Sequence, residues 1–378
     1  MEFRDLKRQY LALKPQIDQA VSDIMAAGTF IAGEPVRSFE NRLAAKTNRT
    51  HCISCANGTD ALELILRAWD IGAGDAVFVP DFTFFATAEP VSLLGAVPIF
   101  VDVHRDTFNI NAASLDEAIA SVKKAGKLRP RAVIAVDLFG QTADYDAINE
   151  IVTKHDLLLF EDTAQGFGAM YKGKPACSFG DAAFTSFFPA KPLGCYGDGG
   201  AIFTNDPDKA SLIRSLAVHG KGTEKYDNIR IGRNSRLDTI QAAVLQVKLD
   251  AFESYEIADI NKAAEAYTAR IKKSGIPINT PTVPSDMISS WAQYTVRFPS
   301  EEMRTKAMNN LSAKGIPSMI YYPKPMHQQT AFANILNEQP GNCIVSEELS
   351  KTALSLPLHP YITEEEIGTV CDALIGGF

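Results

Sequence analysis

Apolar residues follow two rhythms along this chain. Between about residue 50 and residue 205 they come as short, nearly continuous runs. These are His51-Cys-Ile-Ser-Cys-Ala56, Ala76-Val-Phe-Val-Pro80, Val97-Pro-Ile-Phe-Val101, Arg131-Ala-Val-Ile-Ala-Val136, Leu157-Leu-Leu-Phe-Glu161, Ala182-Ala-Phe-Thr-Ser186 and Ala201-Ile-Phe-Thr204. Short runs that are apolar on both faces predict strands of a buried, mainly parallel sheet. Between them, Asp60–Trp69, Ser114–Ala125 and Asp146–His155 carry apolar residues at helical spacing. The alternation predicts an α/β fold, with a large domain whose central sheet is flanked by helices. After Thr204 the rhythm lengthens. Helical patterns cover Asp208–Val218 and Leu237 to about Ile271, followed by a strand at Trp291–Arg297 and a helix at Glu302–Lys314. This reads as a smaller α+β C-terminal domain, with the division placed at 1–250 and 251–378.

Composition narrows the function classes. A length of 378 residues accommodates two domains, and 46% hydrophobic with 22% charged residues is ordinary for a soluble globular protein. No apolar run approaches bilayer length, and the polar start Met1-Glu-Phe-Arg-Asp lacks the core of a secretory signal, so a cytoplasmic location is expected. Cys52-Ile-Ser-Cys55 has the spacing of a redox or zinc pair. It sits inside a predicted strand, however, and no second pair completes a metal site, so it reads as core and no metal is expected. A net charge of −8 argues against nucleic acid as a partner. Positive charge gathers locally between His219 and Arg236, where Lys221, Lys225, Arg230, Arg233 and Arg236 face only Glu224 and Asp227. Such a run suits a solvated loop or an anion site equally.

Candidate chemistry centres on Ser186-Phe-Phe-Pro-Ala-Lys191-Pro-Leu-Gly-Cys-Tyr-Gly-Asp-Gly-Gly200. It sets one lysine among aromatic and apolar neighbours, a costly place for an unpaired cation. Such a lysine is either a surface turn residue or a nucleophile that forms a Schiff base with an aldehyde cofactor. Three other segments bear on the choice. At Ala56-Asn57-Gly58-Thr59-Asp60 a strand gives way to a helix, whose free N–H groups make an anion seat or an ordinary N-cap. At Glu161-Asp162-Thr163-Ala164-Gln165 a buried strand delivers an aspartate to its carboxyl end, where it is a cap or the partner of a cation. In Asp81-Phe-Thr-Phe84-Phe85 an aromatic run opening a helix offers a ring to stack on a flat heterocycle, or simply fills the core.

A phosphate seat, an aromatic ring, an acid for a ring nitrogen and an amine for an aldehyde are together what pyridoxal 5′-phosphate (PLP) requires. Their order resembles the fold-type I PLP aminotransferases, specifically the DegT-type nucleotide-sugar aminotransferase family. The resemblance runs from Phe3-Arg-Asp-Leu6 and Thr29-Phe-Ile-Ala-Gly33 to Leu356-Pro-Leu-His-Pro360. It implies that Lys191 bonds the cofactor and shuttles protons, and that Asp162 pairs with the pyridinium nitrogen, with Gln165 beside the ring. Gly58, Thr59 and Ser186 would hold the phosphate and Phe84 would stack on the ring. Asn234 would reach the phosphate of a neighbouring subunit, which implies a homodimer with shared active sites.

The implied reaction moves an amino group from glutamate to a keto nucleotide-sugar, in surface polysaccharide or glycan biosynthesis. The Cys52–Leu62, Ser186–Asn205 and Asn234–Thr239 motifs are similar to those of enzymes that aminate UDP-2-acetamido-2-deoxy-3-oxo-D-glucuronate. A uronate carboxylate suits the planar fork of Arg236. One departure stands out: Tyr321-Tyr322-Pro323 replaces the His-Tyr-Pro expected of glucuronate enzymes. Tyr321 offers only a neutral hydrogen bond beside Tyr322 in the substrate region, which keeps a 3-oxo or 4-oxo deoxysugar as the alternative. Dehydratases on this scaffold replace the lysine by histidine, and some relatives carry regulatory names. Retention of Lys191 with every cofactor position favours the aminotransferase.

Overall fold

A computed structural model describes residues 1–224, 226–339 and 341–376, which leaves Lys225 of the basic segment outside the described residues. The strands, in chain order, are β1 (His51–Cys55), β2 (Asp75–Pro80), β3 (Val97–Val101), β4 (Arg129–Val136), β5 (Leu158–Asp162), β6 (Met170–Tyr171), β7 (Lys174–Pro175), β8 (Ala182–Ser186) and β9 (Gly200–Thr204). Three more follow: β10 (Met287–Ile288), β11 (Tyr294–Arg297) and β12 (Ala353–Leu356). Seven form the central sheet, in the order β1-β9-β8-β5-β4-β2-β3. Neighbours from β8 to β3 run parallel, whereas β9 is antiparallel to both β1 and β8. A single reversed strand therefore interrupts an otherwise parallel sheet.

Strand alternation explains how both faces are buried. Val77, Val79, Ile134, Phe160 and Phe184 pack on one face with Leu62 and Ile65 of helix Gly58–Ala68 and Ile213 of helix Pro207–Ala217. Their neighbours Phe78, Val133 and Ala135 face the opposite way, toward helices Ala112–Ala125 and Tyr145–His155. Cys52 and Cys55 lie buried in β1 with their thiols pushed up by desolvation, the state of inert core cysteines.

A second core is assembled from residues 260–375, including Tyr267, Tyr294, Val296, Leu311, Leu354 and Val370. Its two strands pair antiparallel, Tyr294 opposite Leu356. Position 250 lies within a continuous helical run, Thr239–Ala251, a π-helical turn Phe252–Glu256 and Ile257–Ser274. The strand expected from Trp291 begins only at Tyr294, because Trp291 adopts a positive φ of 50° that no strand residue holds. Helix Leu6–Ala27 packs Leu13 and Ile17 against Val244 and Ala251, and Arg8 makes a two-pronged ion pair with Glu366 at 2.9 Å on each arm. The N-terminal segment is thereby pinned across both halves. Among the described residues, no helix is long and apolar enough to cross a membrane.

Candidate active site

The carboxyl ends of β5 and β8 and the N-terminus of helix Gly58–Ala68 open into one cavity of about 610 Å³. That volume lies in the range of cofactor sites. Lys191, Asp162, Gly58, Thr59, Phe84, Gln165, Ser186, Tyr321 and Tyr322 all line it. Asn234 and Arg236 do not. Asn234 is exposed, on the segment that returns from the basic loop, with its backbone bridged to Val218.

At one end, the side chain of Asn57 caps the helix by accepting from the Asp60 N–H at 2.8 Å, and its carbonyl accepts from the Ala61 N–H. The N–H groups of Gly58 and Thr59 have no partner among the described residues, so the positive helix end is open to an anion. The seat is too tight for a side chain at position 58: a Cβ on Gly58 would stand 2.9 Å from the Ser186 Cβ. Gly200, in the reversed β9, meets the same turn from behind, where a Cβ would come within 2.6 Å of the Asn57 carbonyl.

At the other end, Asp162 is buried. Its Oδ1 accepts from the Ala164 N–H at 3.0 Å and its Oδ2 from the Thr87 hydroxyl at 3.1 Å. Burial raises this carboxyl above the usual aspartate range, while the Ala164 N–H, the Lys191 charge and Thr87 pull it back. Lys191 is half-buried, and desolvation pushes its amine down against the pull of Asp162, with Arg4 adding to the depression. A lowered amine facing a raised carboxyl is an arrangement typical of functional sites.

Phe84 does not open a helix as expected. It is extended, one residue before the 3₁₀ turn Phe85–Thr87. That geometry leaves its ring 53% exposed at the cavity, 6.2 Å from the Tyr322 ring, whereas Phe85 stacks on Phe332 at 5.1 Å in the core. Gln165 is fully engaged in holding the opposite wall: its Oε1 accepts from the Phe139 N–H and its Nε2 donates to the Tyr322 hydroxyl, both at 2.9 Å. Burial pushes the Tyr321 hydroxyl up, with Arg4 opposing, and the Tyr321 ring meets Phe3 edge-on at 6.2 Å.

Sequence reasoning missed Thr87, Thr83 and Gln293 in the lining, Arg4 behind it and Asn57 as the cap. Thr83 and Thr87 share a hydrogen bond at 3.1 Å, a spacing of four that could have flagged the pair. Gln293 and Arg4 come from distant segments and left no local signal. The basic segment also proves less free than its composition suggested. The guanidinium of Arg233 is taken by Glu63, with Asp60 at 3.5 Å, both on the helix that forms the anion seat.

Deeper in the sheet, Asp137 and Glu161 lie side by side and are both buried. Glu161 accepts from the Cys177 and Phe179 N–H groups at 2.8 Å, and Asp137 Oδ1 accepts from the Ala143 N–H and the Tyr145 hydroxyl. Burial pushes Asp137 up to about 7 and raises Glu161 as well.

The residues fit PLP: an open anion seat that a Cβ would close, a flat slot beside an exposed ring, a buried carboxyl for a ring nitrogen and a desolvated amine. Fold and site together define an aminotransferase, and the chain belongs to the DegT/DnrJ/EryC1/StrS aminotransferase family, which matches residues 12–375. It is 45% identical over 374 residues, 99% of each chain, to the UDP-2-acetamido-2-deoxy-3-oxo-D-glucuronate aminotransferase of Pseudomonas aeruginosa. A DegT DnrJ EryC1 StrS aminotransferase structure from Brucella abortus is 44% identical with a TM-score of 0.93, covering 100% of this chain and 99% of that one. A Streptococcus pneumoniae chain solved in its PLP form is 25% identical with a TM-score of 0.87, covering 96% of each.

Proposed function

We propose that this chain is a PLP-dependent aminotransferase that moves an amino group from glutamate to a keto nucleotide-sugar, UDP-2-acetamido-2-deoxy-3-oxo-D-glucuronate. The observation that carries it is Lys191, Asp162 and the open Gly58–Thr59 N–H groups in the wall of one cavity. Identity to the Pseudomonas enzyme along the whole chain supports the sugar. When bound, PLP supplies an aldehyde for a covalent link to lysine and a ring that accepts electrons.

The chain's own residues do the rest. Gly58, Thr59 and Ser186 would hold the phosphate, Phe84 would lie against the ring, and the carboxylate of Asp162 would keep a proton on the ring nitrogen. The Lys191 amine would bond the cofactor at rest. Desolvation favours the unprotonated amine, so that Nζ, when free, would take the proton from the donor's α-carbon and later return one to the sugar carbon. Gln165 and Tyr322 brace the wall opposite.

A homodimer with Asn234 crossing into the neighbouring site, and Arg236 on the uronate carboxylate, complete the proposal. Exposed Phe30, Ile31, Ile229 and Ile231, on segments that flank Asn234, supply the apolar surface a partner would cover. Tyr321 favours a second reading, a neutral 3-oxo or 4-oxo deoxysugar, because a phenol raised by burial carries no charge to match a carboxylate.

The purified protein with added PLP is expected to be yellow, borohydride should fix the cofactor to Lys191, and glutamate should bleach the colour while releasing 2-oxoglutarate. Absence of a visible band would sink the enzyme reading. Incubating the aminated form with a panel of 3-oxo and 4-oxo UDP- and dTDP-sugars then decides between the two acceptors.

A further inference from the structure

The loop that carries Lys191 is irregular, and its carbonyl groups are held from behind by two cations, half-buried Arg4 and buried Lys248. Arg4 Nη2 donates to the carbonyls of Lys191 at 3.2 Å and Pro192 at 3.4 Å, and Lys248 Nζ donates to the carbonyl of Gly194. Tethering alone does not require charge, because an amide side chain would donate equally well without the desolvation cost of a cation. Lys248 is only 1% exposed, and the second Arg4 nitrogen, Nη1, is buried with no partner.

One buried carboxylate acts on both cations. Glu256, on the π-helical turn, accepts from Gln9 at 2.8 Å and from the Tyr361 hydroxyl at 2.7 Å. Burial lowers Arg4 to about 10 and Lys248 to about 8, and the Glu256 charge opposes the shift at each. Burial also holds His359 down to about 4 and lifts the thiol of Cys195 and the phenols of Tyr196 and Tyr321. Asp198 acts on Cys195, and Asp5, Arg8 and Glu366 act on His359. Beyond burial, two charges act on the Lys191 amine itself: Arg4 pushes it down and Asp162 pulls it up.

We propose that Arg4 is a positioning residue for Lys191, fixing its loop from behind alongside Lys248 and setting the charge around its amine. This rests on the reading that Lys191 bonds PLP.

The test is the visible absorbance of the PLP-loaded protein titrated with pH, which reports protonation of the lysine nitrogen bonded to the cofactor. Removing positive charge by Arg4→Met should move the midpoint up by roughly half to one pH unit, as expected for a neighbouring charge. Arg4→Lys, which keeps the charge, should leave it near the parent. A midpoint that follows the charge at position 4 is something a purely structural role does not produce. A midpoint that stays put in Arg4→Met, or moves as far in Arg4→Lys, overturns the inference. If Arg4→Met fails to fold, Arg4→Gln, which keeps a donor for the loop carbonyls, takes its place with the same upward shift expected. A parent that shows no band defeats the PLP reading itself, a separate outcome from an unmoved midpoint.

Discussion

The floor and the rim of the site are built by different means. The floor (Gly58, Asp162, Ser186 and Lys191) sits at the ends of buried strands, at a helix N-terminus and on a loop held at several carbonyls. Asn234 and Arg236, proposed as the rim of a neighbouring site, lie on an irregular, largely exposed segment and do not line the chain's own cavity. The contrast teaches where this architecture keeps its two jobs. Bond-making chemistry needs positions fixed to a fraction of an ångström, which the sheet supplies; recognition of a particular sugar can be left to segments that vary without disturbing the core.

Substitutions on the two sides should therefore differ in kind. Lys191→Ala on the floor should bring transamination to background and abolish the visible band, measured by absorbance and by 2-oxoglutarate release. Asp162→Asn should leave the cofactor bound but lower kcat/KM by about 10²–10⁴, the range for loss of a proton-holding group; full activity would detach the floor from the chemistry. On the rim, Arg236→Ala should raise KM for a uronate about tenfold or more, the worth of a charge-assisted hydrogen bond, while moving KM for a neutral deoxysugar less than about twofold by the same reasoning. Equal effects on both substrates would remove Arg236 from carboxylate recognition.

The smallest effect lies beneath the floor. Folded Asp137 keeps its proton up to about pH 7, whereas an unfolded chain releases it near about 4. Between those values the folded state binds more protons, so stability falls as pH climbs through that window. Asp137→Asn deletes the slope. Its melting temperature should exceed the parent's at pH 8, with the gap closing as pH falls toward 4.

Much of the floor was legible in the sequence because it is local. Gly58-Thr59 and Asp162 each close a predicted strand, and Lys191 stands out against its own neighbours. Phe84 lines the cavity, but its exposure comes from an extended backbone and not from the helix start the sequence suggested. Arg4 and Gln293 were illegible because their roles depend on contacts with segments far along the chain. The helical pattern from Leu237 to about Ile271 was legible as one run, and a π-helical turn carries it through residue 250 without any Gly or Pro to break it. Arg233 shows the same limit as Arg4 and Gln293: composition revealed its charge but not the carboxylates of Glu63 and Asp60 that consume it.

The reversed strand β9 has a consequence for biogenesis. Among the described residues β1 pairs only with β9, His51 against Thr204, so the strand that leads into the anion seat has no neighbour until the chain has passed the Lys191 loop and turned back. A nascent chain that has emerged only as far as Ser186 already holds Asp162 and the Asn57–Gly58 turn, yet its seat lacks the Gly200 backbone that braces it. Pairing so distant in sequence forms late in folding. The anion seat is thus completed only by chain that follows Lys191, so its brace and the lysine proposed to bond the cofactor arrive together.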